Sequence, residues 1–217
     1  MPTRLFDLVV PPKHDRLEGE NVFSITGSPG RVNADRLAHD LAQFGGALAA
    51  LPRPRVAVII GGKSKAHDLS PERAAAMARD IELPVVQEGG SVMVSFTRRT
   101  PERAKAIFEA RLKTLPGVVW NGEGDNPYFA YLAAADYILV TEDSTNLATD
   151  AASTGEPVFV MKMDGDSLKL RLFHEDLERL GAARPFGSAF HSWTYEPLAE
   201  TERAAAEVLR RYDARSA

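Results

Sequence analysis

Apolar residues gather in short unbroken runs that alternate, for most of the chain, with amphipathic stretches of helical period. RVAVII (55–60), SVMVSFT (91–97), GVVWN (117–121), DYILVT (136–141) and PVFVM (157–161) have the continuous apolar character of strands covered on both faces. Helices are predicted from about Pro71, then over 100–115, 126–135, 144–154, 166–181 and 200–216. Thr100 and Pro101 fit an N-cap and a first helical position, where a proline gives up no intrahelical hydrogen bond. Strand and helix in alternation predict an α/β fold, a Rossmann-like parallel sheet with helices on both faces. Ligands of such sheets lie beyond the carboxyl ends of the strands, near the point where strand order reverses. Polar residues just after strands therefore carry the functional weight.

The first fifty residues are less regular. LFDLVV (5–10) and NVFSIT (21–26) read as two strands, and 33–51 as a helix that starts near Asn33 or Asp35 and is weakened at Gly45-Gly46. LPRPR (51–55) is a stiff connector, since each proline fixes its own φ and restricts its predecessor. Two strands and one helix are too few for a doubly wound domain, whereas residues 55–217 hold a full set. Residues 1–50 are expected to be the tail of a separate N-terminal domain with its linker helix.

Composition narrows the function. The 217 residues are 44% hydrophobic and 26% charged, as in an ordinary globular protein. A net charge of -4 argues against a nucleic-acid partner held on a broad basic face. The absence of cysteine removes disulfides, thiolate zinc sites and thiol nucleophiles, and fits a reducing, cytoplasmic setting. The longest apolar run, YLAAADYILV, contains Asp136 and falls short of the ~18–20 residues of a membrane span. A peripheral association with a membrane surface would leave no trace in such a sequence. His39, His67, His174 and His191 show no metal-ligand spacing, so neither a metal nor a cofactor is expected.

Six polar stretches follow predicted strands. In VAVIIGGKSKAHDLS, Gly61, Gly62, Lys63 and Ser64 suggest a phosphate loop, but a Walker A motif needs a glycine where Ala57 stands, inside the strand. In YILVTEDSTNLATDAASTGEPVFV a helix opens near Ser144; its free amides and dipole suit a diphosphate. Ser144, Thr145 and Asn146 add donors, and Asp150, on the next turn, could accept from both hydroxyls of a ribose. The plainer reading is a helix capped by Asp143 or Ser144. SFTRRTP offers Ser95, Thr97, Arg98 and Arg99; consecutive arginines diverge, so one of the two should point inward as a phosphate clamp. WNGEGDNPY reads first as a Gly- and Asn-rich turn, with Asn121, Gly122 and Glu123 available to a base or ribose and with Trp120 and Tyr128 as packing residues. PPKHDR places His14 and Asp15 after the first strand, and ITGSPGR does the same for Thr26, Gly27 and Ser28.

Tyr137 to Val160 resembles the donor-site segment of GT-B glycosyltransferases, among them the lipid II-forming N-acetylglucosaminyltransferases and the Kdo transferases. In that register Asp150 stands where those families have a ribose-holding glutamate. The serial order of FDLVVPPKHD, NVFSITGSPGRV, VAVIIGGKSKAHDLS, SFTRRTP, WNGEGDNPYFAYLAAADYILVTEDSTN and DAASTGEPVFVM resembles, over nearly the whole chain, the mitochondrial fission (elongated-mitochondria) family. Bacterial members of that family are often labelled nucleoside-diphosphate-sugar epimerases, and its members usually carry a further N-terminal domain. The resemblance implies that residues 55–217 are a GT-B-type donor domain. Gly61, Gly62, Lys63, Ser64, Ser95, Arg98, Arg99, Asn121, Asp143, Ser144, Thr145, Asn146 and Asp150 would then face a nucleotide-diphosphate sugar. His14 and Asp15 are, by position, the candidates for a catalytic base acting on an unknown acceptor.

Three functions follow. The first is a metal-independent glycosyltransferase whose isolated 217-residue chain is inactive. The second is a scaffold or fission-type interaction protein that keeps the fold. The third, an epimerase, fails on the sequence: an early G-x-G-x-x-G is missing, and none of the five tyrosines is followed four residues later by lysine.

Overall fold

The structure, a computed structural model, describes residues 3–120 and 122–216. Its elements in order are α1 (Ala34–Ala49), β1 (Arg55–Ile60), β2 (His67–Asp68), α2 (Pro71–Glu88), β3 (Ser91–Phe96), α3 (Glu102–Leu112), β4 (Gly117–Val119) and α4 (Tyr128–Ala134). They continue with β5 (Tyr137–Thr141), α5 (Thr145–Ala152), β6 (Val158–Met161), β7 (Asp164–Gly165), α6 (Leu168–Arg179), β8 (Ala183–Pro185) and α7 (Glu200–Ser216).

Six of the strands form one parallel sheet in the order β4-β3-β1-β5-β6-β8. Side chains of β1 alternate between two apolar layers, as the pleat requires. Ala57 and Ile59 join a cluster with α1, α4, α5 and α6, through residues such as Leu48, Phe129, Ala148 and Phe173. Val56, Val58 and Ile60 join the opposite cluster, with Met77, Ile81 and Phe108 of α2 and α3. The sheet is therefore covered on both faces, as its continuous apolar strands predict, and the fold is Rossmann-like α/β. Strand order runs one way from β1 through β3 to β4 and the other way through β5, β6 and β8. The reversal, and with it the expected ligand crevice, lies between the carboxyl ends of β1 and β5.

Several expectations need correction. Segments 5–10 and 21–26 are not strands; they meet only through two parallel bridges, Val9 with Val22 and Pro12 with Ile25. Residues 3–5 form a 3-10 turn instead. Helix α1 runs through Gly45-Gly46 unbroken, capped by Asn33, whose side chain accepts from the Arg36 N–H. A sixth strand, β8, was missed because Ala183-Arg184-Pro185 carries no β pattern of its own and pairs on one side only, with β6. Thr100 is not the cap of α3, which starts one residue later, after Pro101. Its hydroxyl lies 2.7 Å from the Gly61 carbonyl and 3.0 Å from the Ile60 carbonyl, tying the β1 exit to the β3 exit.

Candidate functional site

The crevice between β1 and β5 is closed by a knot of hydrogen bonds around Asp143, a fully buried carboxylate. Its Oδ2 accepts from the Gly62 N–H at 3.1 Å and from Arg99 Nη2 at 2.7 Å. Its Oδ1 accepts from the Thr141 hydroxyl at 2.7 Å, while the Thr141 oxygen accepts from the Gly61 N–H at 2.7 Å. Both glycines are required by close approach. A Cβ on Gly61 would lie 2.1 Å from Asp143 Oδ1, and one on Gly62 would lie 2.0 Å from the Arg99 carbonyl oxygen. Arg99 is thus the inward arginine of the pair, directed at a carboxylate of its own chain, and Arg98 is exposed with no side-chain partner among the described residues.

The rest of that loop is also internally bonded. Ser64 Oγ accepts from the N–H groups of Ala66 and His67, and Lys63 Nζ pairs with Asp68 at 3.0 Å on the surface. Ser95 is buried within β3, beside Ile59 of β1 and on the face it shares with Met93. Asn121 lies outside the described residues. The adjacent Glu142, also buried, accepts from Lys162 Nζ and the Met163 N–H at 2.7 Å each, and its carbonyl accepts from His174 Nε2 at 2.9 Å. Burial lowers the His174 pKa, keeping the ring neutral.

A second cluster lies along α5. Ser144 caps the helix by accepting from the Leu147 N–H, and Thr145 is the first helical residue. The segment 27–31 is laid across this helix. Ser28 Oγ donates to Asn146 Oδ1 at 2.7 Å, and a Cβ on Gly27 would collide with Thr149 Oγ1 at 2.0 Å. Further along, a Cβ on Gly30 would lie 2.7 Å from Asp150 Oδ1. Asp150 is half-buried; the Tyr128 hydroxyl donates to its Oδ2 at 3.2 Å, while Oδ1 accepts no hydrogen bond among the described residues. Burial raises the Asp150 pKa, and the Tyr128 hydrogen bond and the nearby Arg31 charge pull it back. The same burial, with the Asp150 charge, holds the Tyr128 phenol well above its ordinary value.

His14 and Asp15 form a third group. His14 is buried edge-on against Phe173 of α6, with ring centroids 5.4 Å apart, and its Nδ1 has no partner among the described residues. Burial lowers its pKa, so the ring is neutral and basic in principle. Asp15 pairs with Lys169 of α6. These residues touch α6, as Gly27 does, so the exits of the short N-terminal bridges face the carboxyl edge of the main sheet.

A family model described as Mitochondrial fission ELM1 matches residues 1–212. The chain belongs to the mitochondrial fission ELM1 family. It is 30% identical over 237 residues to the Arabidopsis thaliana mitochondrial fission protein ELM1, covering 97% of this chain and 55% of that one. It is also 30% identical over 162 residues to the uncharacterized protein RP120 of Rickettsia prowazekii, covering 71% of this chain and 45% of the relative. This ELM1-family chain therefore spans about half the length of the curated relatives it matches. Among solved structures it is similar to Acinetobacter baumannii MurG, with TM-score 0.47 and 16% identity over 94% of this chain and 53% of that one. It is similar too to UDP-GlcNAc 2-epimerase from Neisseria meningitidis bound to UDP-GlcNAc, with TM-score 0.48 and 14% identity over 90% of this chain and 57% of that one.

Sequence reading gives no site role to four residues of these clusters: Thr141, Thr100, Gly30 and Tyr128. Each acts through a partner far away in sequence, such as Tyr128 on Asp150 or Thr100 on Gly61. One motif was also passed over, Asp164-Gly165-Asp166, the Asp-x-Asp pattern that holds divalent ions in other proteins. Here Asp164 accepts from Ser70 and Arg73, and Asp166 pairs with Arg171. Among the described residues no group of three acidic, histidine or cysteine side chains could hold a metal. No helix among them is long and apolar enough to cross a membrane.

Proposed function

We propose that this chain is the nucleotide-sugar-binding part of a GT-B-like, metal-independent glycosyltransferase, and that it has no transferase activity alone. The observation that carries the reading is Asp150. Its Oδ1 accepts no hydrogen bond among the described residues and lies beside Gly30, where any side chain would collide with it, on the helix whose capped start lies at the β5 exit. An acceptor-only oxygen held against burial suits a pair of vicinal hydroxyls, as on a ribose. The start of α5 and the exposed Arg98, which has no side-chain partner among the described residues, are the groups offered to a diphosphate.

Within residues 1–50, α1 packs on α4 in the core of the main sheet, while the bridged segments before it fit the tail of a separate domain. Among the described residues, the backbone groups of Leu8 and Val10 on the outer side of the bridged pair make no backbone hydrogen bond. Two bridged segments cannot stand alone as a sheet. Beside them lie the exposed Leu5, Phe6, Val208 and Leu209 and an open groove of about 530 Å³. An acceptor domain continuing that edge would bring its substrate toward His14 and Asp15.

A non-catalytic scaffold is the second reading, favoured by the Arg99–Asp143 pair, which uses an arginine that a phosphate clamp would need. Thermal unfolding with UDP-N-acetylglucosamine, GDP-mannose, ADP-glucose or CMP-N-acetylneuraminate, with NAD as control, separates the two. A ligand at about 100 times its dissociation constant adds about 2.7 kcal/mol to wild type, and Asp150→Ala should lose the gain. No shift with any of them leaves the scaffold.

A further inference from the structure

Tyr128 and Phe129 are consecutive, and their rings pack edge to face at 5.1 Å. Tyr128 reaches Asp150, its hydroxyl donating to Oδ2. Phe129 holds the segment after Gly30 and the start of α1: the guanidinium groups of Arg31 and Arg36 lie over its ring, 5.5 Å and 4.3 Å from its centre. Arg31 follows Gly30 directly and is exposed, with no side-chain hydrogen bond among the described residues.

We propose that Tyr128 is a positioning residue for ligand binding: its hydroxyl occupies Oδ2 and fixes the rotamer of Asp150, so that Oδ1, which accepts no hydrogen bond among the described residues, receives the vicinal diol of a nucleotide ribose. This inference rests on the nucleotide-sugar reading of Asp150. A carboxylate free to rotate would divide its time between geometries, and one of its oxygens would lose its only protein donor. The amide of Tyr128 is itself held by Asn126 Oδ1 at 3.0 Å, which sets the start of α4 and so the place of the ring. The groups facing Asp150 are the Arg31 charge, from the segment before α1, and the neutral Tyr128 phenol, from α4. Both favour the ionised carboxylate, whereas burial opposes it. Loss of the phenol therefore moves Asp150 protonation to higher pH.

The test is the affinity of wild type, Tyr128→Phe and Asp150→Ala between pH 5 and 8, for whichever of the four nucleotide sugars stabilises wild type most. Phenylalanine keeps the ring packing against Phe129, and a matching urea midpoint checks the fold. The expected result is about five- to tenfold weaker binding by Tyr128→Phe at neutral pH, the loss of one hydrogen bond to a charged group. The acid-side fall in affinity should also begin at higher pH than in wild type. A ring that only packs would leave that limb where it is. If Asp150→Ala abolishes binding while Tyr128→Phe matches wild type at every pH, the positioning role is overturned and the nucleotide-sugar reading stands. If wild type binds none of the four, or Asp150→Ala binds as wild type does, both fall together.

Discussion

Arg99 Nη2 lies 2.7 Å from Asp143 Oδ2, joining the loop after β3 to the loop after β5 across the end of β1. The same carboxylate oxygen accepts the Gly62 N–H, so one buried charge holds three strand exits in register at the point where the sheet reverses. Asp143→Ala would leave the Gly62 N–H and the Thr141 hydroxyl without an acceptor. Urea unfolding of that variant should show a loss of about 2–3 kcal/mol, moderated because the Arg99 side chain is 42% exposed and water can reach it. Arg99→Ala should cost less, since Asp143 keeps two donors.

Glycine substitutions should split by position. Gly62→Ala forces a Cβ to within 2.0 Å of a backbone oxygen and should destabilise by about 2–3 kcal/mol. Gly46→Ala, within α1 and with nothing inside 4 Å of the new Cβ, should stabilise by about 0.5–1 kcal/mol. Denaturation midpoints of the two variants decide it, and equal effects would contradict the packing described for the β1 loop.

Stability should also fall on mild acidification. His14 and His174 have pKa values lowered by burial, so below about 6.5 the unfolded chain binds protons that the folded one refuses. Their contribution is intact above the unfolded pKa and is lost as pH falls toward the lowered, folded values. Each histidine adds a slope of at most about 1.4 kcal/mol per pH unit. His174→Gln retains an amide donor for the Glu142 carbonyl and should flatten the profile of unfolding free energy between pH 7.5 and 5.5.

Asp150 should behave in the opposite sense. Its pKa is raised by burial, so its ionised form costs stability as pH rises through the folded value. Asp150→Asn should therefore unfold at a higher urea concentration than wild type at pH 7.5 while losing nucleotide-sugar binding. A group retained for packing alone would not show that combination.

The main sheet was legible because strands covered on both faces write continuous apolar runs, as in Arg55–Ile60 and Tyr137–Thr141. Segments at the margins were not. The bridges at Val9 and Pro12 are too short to impose a period, and β8 is placed by its neighbour β6 rather than by its own residues. Ser144 and Asp143 were singled out as alternative caps; the serine caps, and the aspartate turns inward to Arg99. Sequence alone placed Asp150 after the right strand but could not supply Tyr128, since their contact spans 22 residues and depends on how α4 meets α5. The same limit applies to Arg99, whose sequence neighbours suggest a phosphate and whose spatial neighbour is a carboxylate.

The most direct test of the central claim is calorimetric titration with UDP, GDP and ADP beside their 2′,3′-dideoxy counterparts. The account predicts that one natural nucleotide binds wild type about tenfold or more tightly than its dideoxy form, and that Asp150→Ala no longer tells the two apart. Equal affinity of wild type for the natural and dideoxy forms, or no binding of any of them by folded protein, would contradict it.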